Sequence, residues 1–251
     1  MFPSHIGPLS DSRQHTLSPS CSGTSVIGIR FKDGVIIAAD SLVSYGSLAR
    51  FTNFDRVVKV IRYFSESNLK VNGNTLMACS GDVADFQFLN REIRKQILSE
   101  NLLDDGFVTS PQALHSWITR VMYYRRSQFD PFWNSYIVGG VMKDGTPYLG
   151  YANMIGVAFK EDTIATGFGA HLATPILRKV IETKAGGDAA NLSYEDALKA
   201  ITDAMTVLFY RDRCAYNMYK IAVCTAEGAR VSENQKLETN WSIAEGESNY
   251  E

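Results

Sequence analysis

The chain has 251 residues, 45% hydrophobic and 21% charged, enough to bury a full core in one large domain or two small ones. A formal net charge of -2 supplies no electrostatic basis for binding nucleic acid or an anionic membrane surface. No apolar run approaches the roughly 20 residues that cross a bilayer, and the N-terminus lacks the charged-then-apolar pattern of a secretory signal.

The four cysteines (Cys21, Cys79, Cys214, Cys224) show neither Cys-x-x-Cys pairing nor histidines at zinc spacing. Neither a metal site, a cofactor site nor a disulfide frame is indicated, and the usage suits a reducing, intracellular setting. Residues 1–22 are rich in Ser and Pro and poor in large apolar side chains, so they read as a flexible leader, with His5 and His15 solvated.

Val26-Ile27-Gly28-Ile29-Arg30-Phe31 and Val35-Ile36-Ile37-Ala38 then read as two strands joined by an Asp33-Gly34 turn. Both are apolar on nearly every residue, which predicts burial on both faces. Thr24 heads one strand and Asp40 ends its partner on the same edge, a placement that suits a nucleophile with an acidic neighbour. The same residue types are also ordinary strand ends.

Ser41 to Asp55 reads as a polar loop, Arg56 to Ile61 as a strand, and Thr75 to Cys79 as another. Ser80-Gly81-Asp82 breaks that strand and opens a helix to about Leu103, with Phe86, Leu89, Ile93 and Ile97 on one face. Ser110-Pro111 starts a second helix, a cap followed by proline at the first helical position, burying Leu114, Trp117, Ile118, Val121 and Met122. His115 and the Arg125-Arg126 pair read as solvated or interface residues.

Strands return from Ser135 to Met142 and Pro147 to Ala152, followed by short ones near Val157 and Thr163. Thr166-Gly167-Phe168-Gly169-Ala170 enters a third helix; a lone Gly-x-Gly is weak evidence for phosphate binding, and helix entry explains it. Ser193 caps a fourth helix, with Ala197, Leu198, Ile201, Met205 and Leu208 inward. A strand from Tyr219 to Cys224 closes a domain spanning residues 23–232.

The tail, 233–251, carries Trp241 and Ile243. From Ala226 on, six acids accompany two bases. An isolated tryptophan in a polar extension commonly anchors a partner. The order of strands, helix pair, strands, helix pair, strand predicts an α+β fold, a four-layer αββα sandwich with two antiparallel sheets between two helix pairs.

Gly23-Thr24-Ser25-Val26, Gly34 to Asp40, Ser80-Gly81-Asp82-Val83-Ala84-Asp85-Phe86-Gln87 and Tyr210-Arg211-Asp212 together resemble the β-type subunits of the eukaryotic proteasome core particle, in the N-terminal-nucleophile hydrolase superfamily. Tyr45 to Phe51, His115-Ser116-Trp117 and Asn240-Trp241 are similar to its non-catalytic beta-seven class. The likeness runs from about Thr16 to the C-terminus.

By that resemblance, Thr24 matches the nucleophile, Asp40 and Asp212 the acids, Gly81 the oxyanion donor, and Arg56 the position of a lysine. An active member uses the threonine hydroxyl as nucleophile and the same residue's free α-amino group as base. Arginine stays protonated above pH ~12 and cannot pass a proton as a shifted lysine can. Ala215 stands where the family pattern has a serine, and Phe168 and Ala170 fill the candidate positions of another. Losing one electrostatic donor costs ~2.7–4 kcal/mol of transition-state stabilisation, and here several are altered together.

The resemblance therefore implies a non-catalytic structural and assembly subunit, acting in ATP- and ubiquitin-dependent protein degradation in cytoplasm and nucleus. It implies α-type and β-type partners in stacked seven-membered rings, a tail reaching the opposite β-ring through Trp241 and Ile243, and leader trimming between His15 and Thr16. The alternative is an active threonine endopeptidase released by cleavage between Gly23 and Thr24.

Overall fold

The computed structural model describes residues 21–60, 74–103 and 108–242. Its first half comprises β1 (Ser22–Gly23), β2 (Val26–Phe31), β3 (Gly34–Asp40), β4 (Val43–Tyr45), β5 (Leu48–Phe51), β6 (Val57–Lys59), β7 (Thr75–Asp82), α1 (Val83–Leu103) and α2 (Pro111–Ser127). The second half comprises β8 (Asn134–Val141), β9 (Pro147–Ala152), β10 (Ala158–Lys160), β11 (Thr163–Ala165), α3 (Gly169–Ala185), α4 (Tyr194–Arg211), β12 (Met218–Thr225), β13 (Gly228–Val231) and β14 (Gln235–Lys236).

Every strand pair is antiparallel. One sheet runs β10-β9-β8-β7-β1-β4-β5, with β6 also on β7; the other runs β11-β2-β3-β12-β13, with β14 also on β12. The side-chain period of two sorts each strand onto two cores. On β2 and β3, Ile27, Ile29, Phe31, Ile36 and Ala38 face α3 and α4. Val26, Val35, Ile37 and Ala39 instead meet Leu76, Ala78, Ile137 and Leu149 of the facing sheet. On that sheet's other side Met77, Cys79, Tyr136 and Val138 pack under α1 and α2. Three apolar layers between four structural layers give the expected sandwich, and they explain why β2 and β3 are apolar on both faces.

Helix ends follow local chemistry. Ser110 accepts from Ala113 N–H at 3.1 Å with Pro111 behind it, and Ser193 accepts from Asp196 N–H at 3.1 Å. α3 has no cap from its own Phe168; instead Ser25 Oγ accepts from Gly169 N–H at 3.0 Å.

Several expectations need correction. The first hairpin turns at Lys32-Asp33, because Phe31 pairs with Gly34, the first residue of β3. Glycine is required there by packing: a Cβ on Gly34 would lie 2.0 Å from the Cys224 carbonyl oxygen. Ser80, Gly81 and Asp82 belong to β7, and the helix opens only at Val83. Arg56 precedes β6. The stretch from Ser41 to Asp55 contains β4 and β5, and β13 and β14 extend the second sheet past the expected closing strand.

His115 is buried, with Nδ1 2.7 Å from Tyr148 Oη and Nε2 2.7 Å from Tyr151 O. The carbonyl can only accept, so Nε2 carries the proton and Tyr148 donates to Nδ1. Arg125 pairs with Asp130 at 2.5 Å and lies over the Phe132 ring, while Arg126 is exposed as expected. The expected leader runs through Ser22, but Ser22 is a strand residue of β1, held by its pairing with Ser44 and Asp82. Residues 1–20, with His15 and Thr16, and Ile243 lie outside the described residues.

Candidate functional site

The site forms where the ends of five segments converge. β1 ends at Gly23; its Ser22 and Gly23 pair with Asp82 and Gly81 of β7 on one side, and Ser22 pairs with Ser44 of β4 on the other. Thr24 follows at once, half-buried, with its nitrogen in the peptide bond to a paired strand. Its Oγ1 donates to Asp212 Oδ2. Asp212 is the C-cap of α4, and its other oxygen accepts from Cys214 N–H at 2.9 Å.

Arg56, 3% exposed, sits beneath this junction. Its Nε donates to Asp40 O at 3.0 Å, Nη1 to Thr24 O at 2.7 Å, and Nη2 both to Ser25 O at 3.1 Å and to the Asp40 carboxylate. One planar fork thus ties the end of β3 to the Thr24-Ser25 link, a task its geometry suits. It also dictates Gly23, where a Cβ would lie 2.4 Å from Arg56 Cδ. The second Asp40 oxygen accepts from Tyr216 N–H at 2.9 Å.

Burial pushes the Asp40 carboxyl up to about 6, with Asp212 adding to the rise and Arg56 and the Tyr216 N–H opposing it. Asp40 therefore stays ionised at neutral pH beside its guanidinium. Gly81 adopts φ +100, and a Cβ there would lie 2.1 Å from Trp133 O, so the position admits only glycine.

The structure thus brings together Thr24, Asp40, Arg56, Gly81 and Asp212. Ser25 was missed as a site residue: its hydroxyl holds the start of α3 and its carbonyl receives Arg56, a double role without local sequence signal. A family model described as "Proteasome subunit" matches residues 21–225.

The chain belongs to the proteasome subunit family. It is 47% identical over 240 residues to "Proteasome subunit beta type-4" of Xenopus laevis, covering 96% of this chain and 92% of that one. It is 42% identical over 234 residues to the beta type-4 subunit of Arabidopsis thaliana, covering 93% and 87%. "Proteasome subunit beta type-7" of Saccharomyces cerevisiae is 37% identical over 237 residues, covering 92% and 84%.

Within this proteasome fold the site's chemistry is narrow. In the uncut chain the Thr24 nitrogen is an amide without a basic lone pair, and a guanidinium does not pass a proton as a shifted lysine can. Among the described residues the acceptor hydrogen-bonded to the Thr24 hydroxyl is Asp212, already engaged by a backbone N–H. Among the described residues no group of three or more His, Cys, Asp or Glu is placed to hold a metal ion, and no helix is long and apolar enough to cross a membrane.

Proposed function

We infer that the chain is a non-catalytic structural and assembly subunit of the proteasome β-ring, built into the core particle with other proteasome subunits and serving ATP- and ubiquitin-dependent protein degradation. The observation that carries this reading is Arg56, which occupies the lysine position of the family pattern and spends its donors on the Thr24, Ser25 and Asp40 carbonyls and the Asp40 carboxylate. Thr24, Asp40, Arg56, Gly81 and Asp212 are then vestigial positions that hold the frame together.

The test is a core particle containing this chain, treated with a threonine-directed epoxyketone and resolved by intact-chain mass. The active neighbours should gain the adduct and this chain should not. An adduct on the Thr24 oxygen would overturn the reading in favour of an active endopeptidase.

Three finer points belong to the same proposal. The particle stacks seven-membered α-type and β-type rings, in cytoplasm and nucleus. The leader is removed between His15 and Thr16, so N-terminal sequencing should begin at Thr16 rather than Thr24. The tail reaches the opposite β-ring through Trp241 and Ile243.

The tail proposal is supported by Trp241, 51% exposed, standing edge-on to Tyr210 at 5.1 Å, with Asn240 N–H on Tyr210 Oη at 2.7 Å. The tail is thus pinned at the end of α4 with an aromatic face still open. A chain ending at Asn240 should fold and enter half-particles but slow their joining on native gels; an unchanged rate refutes the tail's role.

A further inference from the structure

The second sheet ends at β13, and its hydrogen-bond phase reveals which backbone groups there are unused. Ser232 N–H donates to Ile221 O at 2.8 Å, and along the same antiparallel ladder Arg230 stands opposite Val223 and Gly228 opposite Thr225. In such a ladder alternate residues exchange bonds with the partner strand, and those between point the other way. Gly228 and Arg230 therefore bond to β12. The N–H and C=O of Ala229 and Val231 point outward, and among the described residues nothing pairs with them.

Among the described residues, nothing covers the sheet beside this edge. α4 packs over β2 and β3, leaving the outer face of β12 and β13 as the floor of a groove of about 840 Å³. Its apolar lining includes Phe31, Tyr194, Leu198, Ile221 and Val223, with the Phe31 and Tyr194 rings 5.6 Å apart. Gly228 has no side chain to bar a neighbour at the edge from reaching that floor. The rim carries Asp33, and Glu227 paired with Arg230 at 3.2 Å, so two acids face one base.

An unpaired strand edge is a template for another strand, and natural proteins blunt it with short strands, charged side chains, proline or a bulge. Gly228-Ala229-Arg230-Val231 is short but has neither proline nor bulge, and its one charged side chain, Arg230, is paired with Glu227. A helix or a small apolar molecule would fill the groove but leave four outward backbone groups unmet. An extended segment satisfies both features, since main-chain bonds supply affinity while alternate side chains enter the groove.

We propose that the β13 edge and the groove beside α4 take an extended segment of another proteasome subunit, added to the sheet as a further strand. Its alternate side chains are large and apolar, and a basic residue at one end meets the acidic rim. This docking rests on the chain being an assembled subunit, as argued above.

The experiment is amide exchange at single-residue resolution on purified core particles. Ala229 and Val231 amides should exchange about a hundredfold more slowly than in an unstructured peptide, as the Arg230 amide should through its own ladder. A benzoylphenylalanine in place of Leu198 should crosslink within the particle to an extended segment of a different subunit.

Unprotected Ala229 and Val231 amides beside a protected Arg230 overturn the proposal, and so does a crosslink only to residues of this same chain. Val231→Pro removes a donor the internal ladder does not use, so it should fold yet enter particles at least several-fold more slowly; normal entry also counts against docking. Absence of the wild-type chain from core particles would instead overturn the function on which the docking rests.

Discussion

Arg56→Lys keeps the charge and removes the fork, so it isolates what the guanidinium contributes beyond electrostatics. Three nitrogens of Arg56 serve the carbonyls of Asp40, Thr24 and Ser25 as well as the Asp40 carboxylate. A lysine ammonium is a compact point charge. Held beside the Asp40 carboxylate, it reaches one of those carbonyls at most, and two acceptors lose their donor. An unsatisfied buried acceptor costs about 1–3 kcal/mol, so with two of them the variant should lose about 2–6 kcal/mol in urea denaturation.

Arg56→Met adds a distinct pH signature. The Asp40 carboxyl is raised from 3.8 to about 6 in the folded chain, so its contribution to stability is fully present below 3.8 and lost as pH rises through about 6, a span of about 3 kcal/mol. Arg56 opposes that rise. Removing it carries the folded value higher, so the gap between wild type and Arg56→Met should widen between pH 6 and 8, whereas the gap for Arg56→Lys should stay flat. A lysine variant within about 0.5 kcal/mol of wild type, or a methionine gap that ignores pH, would refute the reasoning.

Three further outcomes follow from the geometry. Ser25→Ala should destabilise by about 1 kcal/mol and speed exchange of the Gly169 amide, because α3 has no cap of its own; an unchanged Gly169 rate refutes the cap. Burial, with Lys160 adding to it, holds the His115 imidazole below its ordinary 6.5, so this group's contribution is present above 6.5 and is lost as pH falls below it; an NMR midpoint at or above 6.5 refutes that. A chain ending at Lys236 should lose about 2–3 kcal/mol relative to one ending at Asn240, because Leu237 is 3% exposed; equal urea midpoints would show that its burial contributes nothing.

What could be read from the sequence was whatever local pattern determines. α2 and α4 carry an apolar face at helical spacing and a serine cap, so both stood out, as did the doubly buried β2 and β3. β5 was missed because Leu48, Ala49, Arg50 and Phe51 are all exposed, and a strand without a buried face has no alternation to find. β1 is two residues long and exists only through its pairing with β7 and β4. His115 looked solvated because its partners, Tyr148 and Tyr151, arrive from β9, and the Asp33-Gly34 pair mimicked a turn because the contact demanding Gly34 comes from Cys224.

The same distinction applies at the site. Thr24, Asp40, Gly81 and Asp212 were recognisable by pattern, but the pattern showed Arg56 only as a departure from it. Its partners are two carbonyls more than 30 residues upstream and the two acceptors of Asp40, and only the folded chain brings them together. Proton transfer requires a group that can change its protonation and its partner. Here Asp212 is held by Thr24 and Cys214, Asp40 by Arg56 and Tyr216, and Arg56 by three carbonyls and a carboxylate. A network saturated in this way gains rigidity through the features that deprive it of a base. The arginine therefore acts on the fold more than on the chemistry, and its replacement should register first in stability.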